Sequence, residues 1–425
     1  MRFIFLMWGF VVAACSPRYA LVKELKRTEL ELKDHTGFAL YDPERKKFLM
    51  EFQSDRYFTP ASNTKIFTFY ASLKLLGDST ISLKYIQRND SLIFWGMGDP
   101  AFLNPDTYSN GKPLEFLQSQ PGKLYFSASN FQTESLGPGW AWDDYSYAYS
   151  AERSPLPLYG NLISIKRDSS TFRINPPRFF EHFTEATESR EYETVERELD
   201  NNRLTYFPGK LNGSEWKVPV RYSSDLVVDL LSDTLKRTVE EITWSLPEDA
   251  KELQGVPLDS VYRVMMQESD NFIAEQLLMQ CAAVVSDTLK PEIAIDHVIK
   301  YYLNDLPDKP RWVDGSGLSR YNLFTPRSIV MLWDKIQSEM PQERLFTLLA
   351  VGGRNGTIKD WYRNEVPYIF GKTGTLSNNH SLSGYLVTRK GKILIFSMMN
   401  NNYLATTTEV RKRMEKVLFT IHEKF

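Results

Sequence analysis

The sequence predicts an α/β (α+β) fold in which an antiparallel sheet is flanked by helices and joined to a helical lobe, with a large, mostly β insertion. Three observations lead to this prediction. Alternating apolar runs lie near both ends of the chain, apolar residues at helical spacing return from about residue 223, and residues 83–222 are rich in aromatics, Gly, Pro and short alternating runs. We therefore expect residues 16–82 and 223–425 to form one domain and residues 83–222 to form an inserted one.

The chain begins with the pattern of a signal peptide over residues 1–14. Arg2 is followed by an apolar stretch, residues 3–12, that is too short to span a bilayer. The small residues before Cys15 resemble a bacterial lipobox, in which the cysteine is lipidated and becomes the mature N-terminus. A plain signal peptide with an incidental cysteine is the alternative. We expect a periplasmic lipoprotein anchored to a membrane of a Gram-negative bacterium, and Ser16 after the cysteine favours the outer membrane.

Composition excludes several classes of protein. The formal net charge of the 425 residues is −2 and no basic block is interleaved with aromatics, so we expect no nucleic-acid partner. The five His residues show no metal-ligand spacing, and we infer no metal and no cofactor. Apart from Cys15 the only cysteine is Cys281, which lies in an apolar helical stretch and is expected to be a buried thiol.

The remaining elements follow in order from apolar spacing. Helices are predicted over 19–34, 60–76, 225–238, 258–266, 270–285, 325–338, 343–349 and 407–425, and strands over 36–41, 47–52, 366–373, 381–389 and 392–399. The first two and last three strands are expected to form one antiparallel sheet packed by the terminal helices. In the helix 60–76, Pro60 suits the first position and Gly77 a C-terminal cap.

The first chemical motif is Ser62-x-x-Lys65 at the start of the helix 60–76. Serine is a poor nucleophile until a base removes its proton, and a lysine one turn away, desolvated by burial, can be that base. Ser-x-x-Lys also occurs at residues 109–112 and 214–217, but no apolar-periodic helix follows either copy, and both are interpreted as loops.

Two further motifs make the first one specific. Ser269-Asp270-Asn271 is predicted in a loop just before a helix, and Lys372-Thr373-Gly374 at the end of a strand. Ser-x-x-Lys, Ser-x-Asn and Lys-Thr-Gly in this chain order are the signature of penicillin-binding proteins and class A β-lactamases.

This chemistry needs each of these residue types. Ser62 would attack a peptide carbonyl and Lys65 would accept its proton, while the backbone N–H groups of Ser62 and Thr375 form an oxyanion hole. Ser269 can relay a proton to the leaving amine, and Asn271 can orient the substrate and Lys65. The pocket for a terminal carboxylate would be formed by Lys372 with the hydroxyls of Thr373 and Thr375, and Gly374 lies between those two threonines.

The chain resembles the class C low-molecular-mass penicillin-binding proteins, the D-alanyl-D-alanine carboxypeptidase/endopeptidases. Besides the three motifs, the resemblance rests on Gly98-Asp99-Pro100, Gly139-Trp140-x-Trp142-Asp143-Asp144, Asn161, the run 272–275, Asp314–Ser319 and Ser381–Tyr385. It covers nearly the whole mature chain and implies a serine β-lactamase/transpeptidase-like fold. The implied activities are removal of the terminal D-Ala from peptidoglycan stem peptides, hydrolysis of D-Ala-to-diaminopimelate cross-links, and acylation by β-lactam antibiotics. The family's usual Gly-Gly-Gly-Asp-Pro is Gly96-Met97-Gly98-Asp99-Pro100 here, with Met97 in place of the middle glycine.

Two alternative functions share these residues. A serine β-lactamase would need a glutamate base to hydrolyse the acyl-enzyme, and no Glu in a suitable loop is found. A non-catalytic cell-wall module is disfavoured because all five motif side chains are intact. Asp143 or Asp144 is expected to cap a turn, with binding of the diaminopimelate end as the alternative, and His380 is expected to be a loop residue.

Overall fold

The computed structural model describes residues 17–169, 171–211 and 213–425. The predicted signal peptide and Cys15 lie outside these residues. Of the helices in the described part, none is long and apolar enough to cross a membrane.

Helices and strands are numbered in chain order. The α-helices are α1 Pro17–Leu32, α2 Thr64–Leu75, α3 Lys112–Ser119, α4 Ser224–Leu235, α5 Leu258–Arg263, α6 Asn271–Ser286, α7 Pro291–Tyr301, α8 Pro326–Glu339, α9 Gln342–Leu348 and α10 Thr407–Lys424. The strands are β1 His35–Asp42, β2 Lys47–Phe52, β3 Ser79–Arg88, β4 Ser91–Gly96, β5 Lys123–Phe126, β6 Leu162–Asp168, β7 Thr171–Asn175, β8 Phe183–Glu185, β9 Thr194–Arg197, β10 Leu204–Phe207, β11 Glu215–Pro219, β12 Val239–Glu241, β13 Lys251–Pro257, β14 Ala350–Val351, β15 Ile369–Leu376, β16 Asn379–Val387 and β17 Ile393–Asn401.

One sheet joins the two ends of the chain. Its order is β14-β15-β16-β17-β1-β2, and every neighbouring pair is antiparallel. The prediction that the first hairpin and the last three strands form one antiparallel sheet is therefore confirmed. Strand β14 has only two residues, too few for an alternating pattern, and the sequence does not reveal it.

Strand β1 shows how this sheet is covered on both faces. Phe38 and Leu40 lie in a core cluster with residues of α1 and α10, whereas Ala39 and Tyr41 lie in a second cluster with residues of α2 and α8. Successive side chains of a strand point to opposite faces. The terminal helices therefore cover one face of the sheet, and the helical lobe covers the other.

Helix α2 runs through the interior of the helical lobe. Every residue from Thr64 to Ser72 is buried, as expected for a helix surrounded by core. The predicted helix 60–76 is a 3₁₀ turn at Ala61–Asn63 followed by α2, and the predicted cap at Gly77 is wrong. Leu76 has extended backbone (φ −91°, ψ 153°) and leads directly towards β3, so the left-handed cap conformation that favours glycine is not used.

The region between the first two motifs is mostly β, as predicted. It holds the sheets β12-β5-β4-β3-β13, β11-β6-β7 and β8-β10-β9, with α3 between β4 and β5. Helix α4 packs in the same apolar core as these sheets, and β13 pairs with β3. The boundaries 83–222 stay a prediction from composition. Sheet pairing and core packing join the longer segment 79–257 into one unit.

Candidate active site

Ser62 lies in the 3₁₀ turn that precedes α2, where a cleft leaves its side chain partly exposed. Ala61 before it has a left-handed backbone (φ 49°), which is uncommon for a residue other than glycine. The carbonyl of Ala61 packs against Gly317, where a Cβ would overlap it, and Gly317 is itself left-handed (φ 87°). The close approach of these two segments holds the turn that carries Ser62.

Lys65 contacts three oxygen atoms from three parts of the chain. Its Nζ donates to Ser62 Oγ at 2.9 Å, to Asn271 Oδ1 at 2.6 Å and to the carbonyl oxygen of Ser316 at 2.7 Å. The side chain is fully buried, and its first-turn position on α2 places it one turn from Ser62. The predicted pairing of Ser62 with Lys65 is therefore present in the structure.

The surroundings of Lys65 change its protonation. Burial disfavours the ammonium and lowers the pKa of Lys65 to about 8, although the charges of Asp270, Asp314 and Glu275 act in the opposite direction. An amine with a pKa near neutrality can accept a proton at physiological pH.

The second motif follows a change of helix type. Helix α5 continues as a π-helical turn, Val264–Glu268, and ends at Ser269 in the left-handed conformation (φ 66°). The predicted helix 258–266 is therefore α-helical only as far as Arg263. Asp270 then caps α6 by accepting from the N–H of Ile273 at 2.8 Å. This turn separates Ser269 from α6 and sets Asn271 at the first position of that helix.

Asn271 connects Lys65 to the inserted region. Its Oδ1 accepts from Lys65, and its Nδ2 donates to the carbonyl oxygen of Tyr149 at 2.8 Å. Because both ends of the amide have partners, its orientation is fixed.

Lys372 in β15 closes the other side of the site. Its Nζ donates to Ser269 Oγ at 2.7 Å and to the carbonyl oxygen of Thr373 at 2.8 Å. Burial, and then the charge of Lys65, lower the pKa of Lys372 well below its ordinary value. A group of opposite charge that enters beside Lys372 would favour its ammonium form.

Strand β15 runs close beside the turn that holds Ser62. A Cβ at Gly374 would lie 2.9 Å from the backbone nitrogen of Ser62 and still closer to the carbonyl oxygen of Pro60. Only glycine allows this approach, which brings the backbone of Ser62 next to the strand that carries Thr375. Thr373 contacts the hydroxyl of Thr357 at 2.7 Å, and Thr375 contacts Nδ1 of His380 at 2.8 Å.

A cleft of about 820 Å³ opens at Ser62, and the buried side chains of Lys65, Lys372 and Thr373 are not part of its lining. It is lined by Ser62, Gly139, Ala141, Asp143, Asp144, Tyr149, Ser269, Asn271, Gly317, Leu318, Arg320, Tyr321, Thr375, Leu376 and Ser377. Both the inserted region and the sheet domain therefore form its walls. The cap position of the 3₁₀ helix Trp142–Ser146 is Ala141, and Asp143 and Asp144 lie inside its first turn, so the turn-capping expectation is wrong. Asp144 instead accepts from the Tyr149 hydroxyl at 2.7 Å.

A buried ion pair supports the segment that supplies the carbonyl of Ser316. Glu275 accepts from Arg153 at 2.5 and 2.9 Å, and both side chains are only 1% exposed. The other oxygen of Glu275 accepts from the N–H of Ser316 at 2.7 Å. Arg153, which belongs to the inserted region, is thus linked to Lys65 through Glu275 and Ser316. The sequence contains no local signal for Arg153, because its partner lies 122 positions away.

Asp314 organises the same segment. It accepts from the N–H groups of Gly317 (2.8 Å) and Ser319 (2.7 Å), and from the indole N–H of Trp140 at 2.9 Å. Burial, and then the charge of Glu275, raise the pKa of Asp314 to about 6. The family resemblance alone pointed to Asp314–Ser319, and in the structure its aspartate holds the backbone of this segment through the N–H groups of Gly317 and Ser319.

Asn63 links the turn of Ser62 to the sheet. Its amide nitrogen donates to the carbonyl oxygen of Lys372 at 3.1 Å and to Ser381 Oγ at 3.0 Å, and its oxygen accepts from Ser383 Oγ at 2.5 Å. All of these groups are buried. Sequence reasoning missed this residue, although it lies between Ser62 and Lys65 in the first motif.

The other residues named from the sequence, Ser109, Lys217, Cys281 and His380, are not part of the cleft lining. Ser109 precedes α3 and Lys217 lies in β11, where it pairs with Asp106, so neither further Ser-x-x-Lys copy forms a serine–lysine unit on a helix. Cys281 is buried as predicted, and burial raises the pKa of its thiol to about 12. His380 is not a loop residue but part of β16.

Three comparisons with known proteins concern the family and the fold of the chain. The model of the D-Ala-D-Ala carboxypeptidase 3 (S13) family matches residues 20–423. A relative, D-alanyl-D-alanine carboxypeptidase DacB of Haemophilus influenzae, is 23% identical over 444 residues, covering 91% of this chain and 89% of the relative. The crystal structure of penicillin binding protein 4 from Haemophilus influenzae superposes with a TM-score of 0.71 at 20% identity, over 94% of this chain and 97% of that one. A predatory peptidoglycan endopeptidase from Bdellovibrio bacteriovorus superposes with a TM-score of 0.51 at 12% identity, over 91% and 93% of the two chains. These structures confirm the predicted fold class.

Proposed function

The chain belongs to the D-Ala-D-Ala carboxypeptidase 3 (S13) family, and from this premise we propose that it acts through an acyl-enzyme on Ser62. It is a serine-type D-Ala-D-Ala carboxypeptidase that acts on peptidoglycan stem peptides and binds penicillin. The observation that carries the proposed mechanism is the contact of Ser62 Oγ with Lys65 Nζ at the wall of the cleft.

The partners of Lys65 support its role as the base. A neutral amine has two N–H groups and one lone pair. The carbonyl oxygens of Asn271 and Ser316 can only accept hydrogen bonds, so they take the two N–H groups. The lone pair of neutral Lys65 then faces Ser62 Oγ, which donates its proton and attacks the carbonyl carbon of the penultimate D-Ala.

Ser269 is placed to protonate the leaving group. As the Oγ–carbon bond forms, the carbon–nitrogen bond to the terminal D-Ala breaks, and the departing nitrogen needs a proton. Ser269 Oγ–H can give one and recover it from Lys372, whose Nζ is 2.7 Å away. Lys372 is then reprotonated from solvent, and Lys65 loses to solvent the proton that it took from Ser62. Neutral Lys65 accepts a proton from the water that attacks the ester carbon and returns it to Ser62 Oγ as the shortened peptide leaves.

Lys372, Thr373 and Thr375 would hold the terminal carboxylate, and the backbone N–H groups of Ser62 and Thr375 would hold the oxyanion. A carboxylate beside Lys372 favours its ammonium form, opposing the burial and the Lys65 charge that lower its pKa. We therefore expect a proton to be taken up when substrate binds. Calorimetry of peptide binding to the Ser62→Ala variant in buffers of different ionisation enthalpy measures this uptake.

The same acylation would open a β-lactam ring or cleave a peptide cross-link. In a D-Ala-to-diaminopimelate cross-link, the amine of the second stem peptide takes the place of the terminal D-Ala. The cleft of about 820 Å³ has room beyond Ser62 for such a group. We therefore include endopeptidase activity in the proposal.

Mass spectrometry tests the acyl-enzyme. Wild type, Ser62→Ala and Ser109→Ala are each incubated with penicillin and, separately, with a pentapeptide ending in D-Ala-D-Ala. Ser109→Ala is the matched control because it alters a Ser-x-x-Lys copy that has no role in the cleft. Wild type and Ser109→Ala should carry a lasting penicilloyl group on Ser62 and release D-Ala, and Ser62→Ala should do neither. An adduct on another residue, or D-Ala release by Ser62→Ala, would refute the mechanism, and rapid turnover of penicillin would indicate a β-lactamase.

For location, we propose a periplasmic lipoprotein anchored through Cys15, with the outer membrane of a Gram-negative bacterium as its site. The support is the sequence pattern of residues 1–16. Labelling of growing cells with an alkyne fatty acid, followed by membrane fractionation, tests this. Label and membrane association should both be lost in Cys15→Ser, and a labelled Cys15→Ser protein would contradict the proposal.

A further inference from the structure

His380 makes a direct contact with a residue of the proposed carboxylate pocket. It lies in β16 opposite Thr375 of β15, and opposite residues of an antiparallel pair place their side chains on the same face of the sheet. The distance between His380 Nδ1 and Thr375 Oγ1 is 2.8 Å. This contact joins a buried histidine to a residue that lines the cleft.

The two partners differ in exposure. Thr375 is exposed and lines the cleft, whereas His380 is only 2% exposed. The imidazole therefore reaches the threonine hydroxyl from the protein side, and a substrate would reach the same hydroxyl from the open side. Any effect of His380 on a substrate passes through Thr375.

The imidazole is neutral over the physiological range. Burial disfavours the imidazolium and lowers the pKa of His380 to about 3, with the charge of Arg411 acting in the same direction. A neutral imidazole has one N–H donor and one acceptor nitrogen. The tautomer then decides which way the hydroxyl proton of Thr375 points.

With the proton on Nδ1, the imidazole donates to Thr375 Oγ1 and leaves the hydroxyl proton free to point into the cleft. With the proton on Nε2, the hydroxyl must donate to Nδ1, and only its lone pairs face the cleft. Either tautomer is compatible with the 2.8 Å contact in the absence of substrate. A carboxylate on the open side can only accept hydrogen bonds, so it takes the hydroxyl proton of Thr375 and selects the Nδ1–H tautomer.

We propose that His380 is a positioning residue that holds the Thr375 hydroxyl with its proton directed at the terminal carboxylate of the substrate. This rests on the proposed function, because it assigns the carboxylate to the Lys372–Thr375 pocket. His380 thus makes the site selective for peptides with a free C-terminus. It acts on binding of the carboxylate and not on the attack by Ser62.

The test compares two substrates and three variants of His380. The substrates are the same D-Ala-D-Ala peptide with a free C-terminal carboxylate and with a C-terminal amide. His380→Leu should lower kcat/KM for the free acid by about 10- to 100-fold, as expected for loss of an oriented hydrogen bond to a charged group, mainly through KM. The kcat/KM for the amide should fall by less than threefold. His380→Asn, which places an N–H donor where Nδ1 lies, should recover most of the loss, whereas His380→Gln, whose amide lies further out, should not.

Two controls separate this role from a structural one. Thr375→Val should lower the acid-over-amide preference at least as much as His380→Leu does, and adding His380→Leu to it should lower kcat/KM no further on either substrate. His422→Leu removes another buried histidine of the same domain, which bonds the carbonyl of Val387, and should leave the preference intact. If His380→Leu does not fold, as judged by thermal unfolding, the Asn and Gln variants still give the comparison.

The possible failures are distinguishable. An active wild type whose His380 variants lose equally on both substrates, or lose nothing, overturns the inference while the proposed function stands. Additive losses from Thr375→Val and His380→Leu overturn it as well. A wild type that releases D-Ala from neither substrate and forms no penicilloyl adduct overturns the proposed function and this inference with it.

Discussion

Replacing Asp270 with Asn is expected to move the pH dependence of acylation to lower pH. Lys65 must be neutral to accept the Ser62 proton, so the acylation rate should rise with pH through the pKa of Lys65, about 8, and level off above it. Of the charges that raise this pKa, that of Asp270 is the largest, followed by Asp314 and Glu275. Removing this charge lowers the pKa of Lys65, so a larger fraction of Lys65 is neutral at a given pH.

The magnitude follows from the pKa. With a pKa of about 8, about a tenth of Lys65 is neutral at pH 7, against about 3 in 10,000 for an ordinary lysine. Burial thus supplies about 300-fold more base at that pH. Loss of the Asp270 charge should shift the limb, the rising part of the pH–rate profile, by about half to one pH unit towards lower pH. Acylation at pH 7 then rises about 2.5- to 5.5-fold, with no change in the plateau at high pH.

The substitution keeps the fold because Asn is as good a helix cap as Asp. Asp270 caps the N-terminus of α6, and Asp287, which follows its other end, gives the matched control. Asp287→Asn removes a carboxylate about 24 Å away along the helix and should leave the pH profile unchanged. The assay is the single-turnover rate of acylation by a fluorescent penicillin between pH 5.5 and 10 for wild type and both variants.

The same measurement also shows whether Lys65 or Lys372 is the group whose titration controls the acylation rate. Burial and Lys65 lower the pKa of Lys372, and the charge of Asp270 is not among the causes of that shift. A limb that belongs to Lys372 would therefore stay in place in Asp270→Asn or move to higher pH, because neutral Lys65 no longer opposes the ammonium of Lys372. An unmoved limb, or one displaced to higher pH, would refute the assignment of Lys65 as the base.

Three further predictions concern stability, strand packing and reactivity. Arg153→Met leaves Glu275 buried without its counter-charge and should lower the free energy of unfolding, measured by urea titration, by about 3–5 kcal/mol. Adding Glu275→Gln to this variant should recover part of the loss. An Arg153→Met protein as stable as wild type would contradict the role of the buried pair. Gly374→Ala places a Cβ 2.9 Å from the nitrogen of Ser62, so penicillin acylation should fall by about 100-fold or more at saturating penicillin, and a rate within threefold of wild type would show that the strand can move away. Cys281 should stay unmodified by a thiol reagent in the native protein and react fully in denaturant, as read by peptide mass mapping, because it is buried and its pKa is raised to about 12.

The sequence alone determined the fold class, the motifs and most of the elements near them. Ser62, Lys65, Ser269, Asn271 and Lys372 were all predicted, and the structure brings them into hydrogen-bond contact around one cleft. This was possible because short motifs act with local elements: a helix start, a loop before a helix and a strand end. Hydrophobic periodicity reports such elements directly, since it reflects which side of a helix or strand is buried.

Only the tertiary structure decided which groups support these residues. The carbonyl of Ser316, the Arg153–Glu275 pair and the amide of Asn63 reach the site from segments far apart in the chain. The structure also moved His380 from a predicted loop into a strand opposite Thr375. Contacts of this kind depend on how separate elements pack, and local sequence carries no record of a partner many residues away. The nucleophile and its base are therefore readable from the sequence, whereas the network that orients them is visible only in the folded protein.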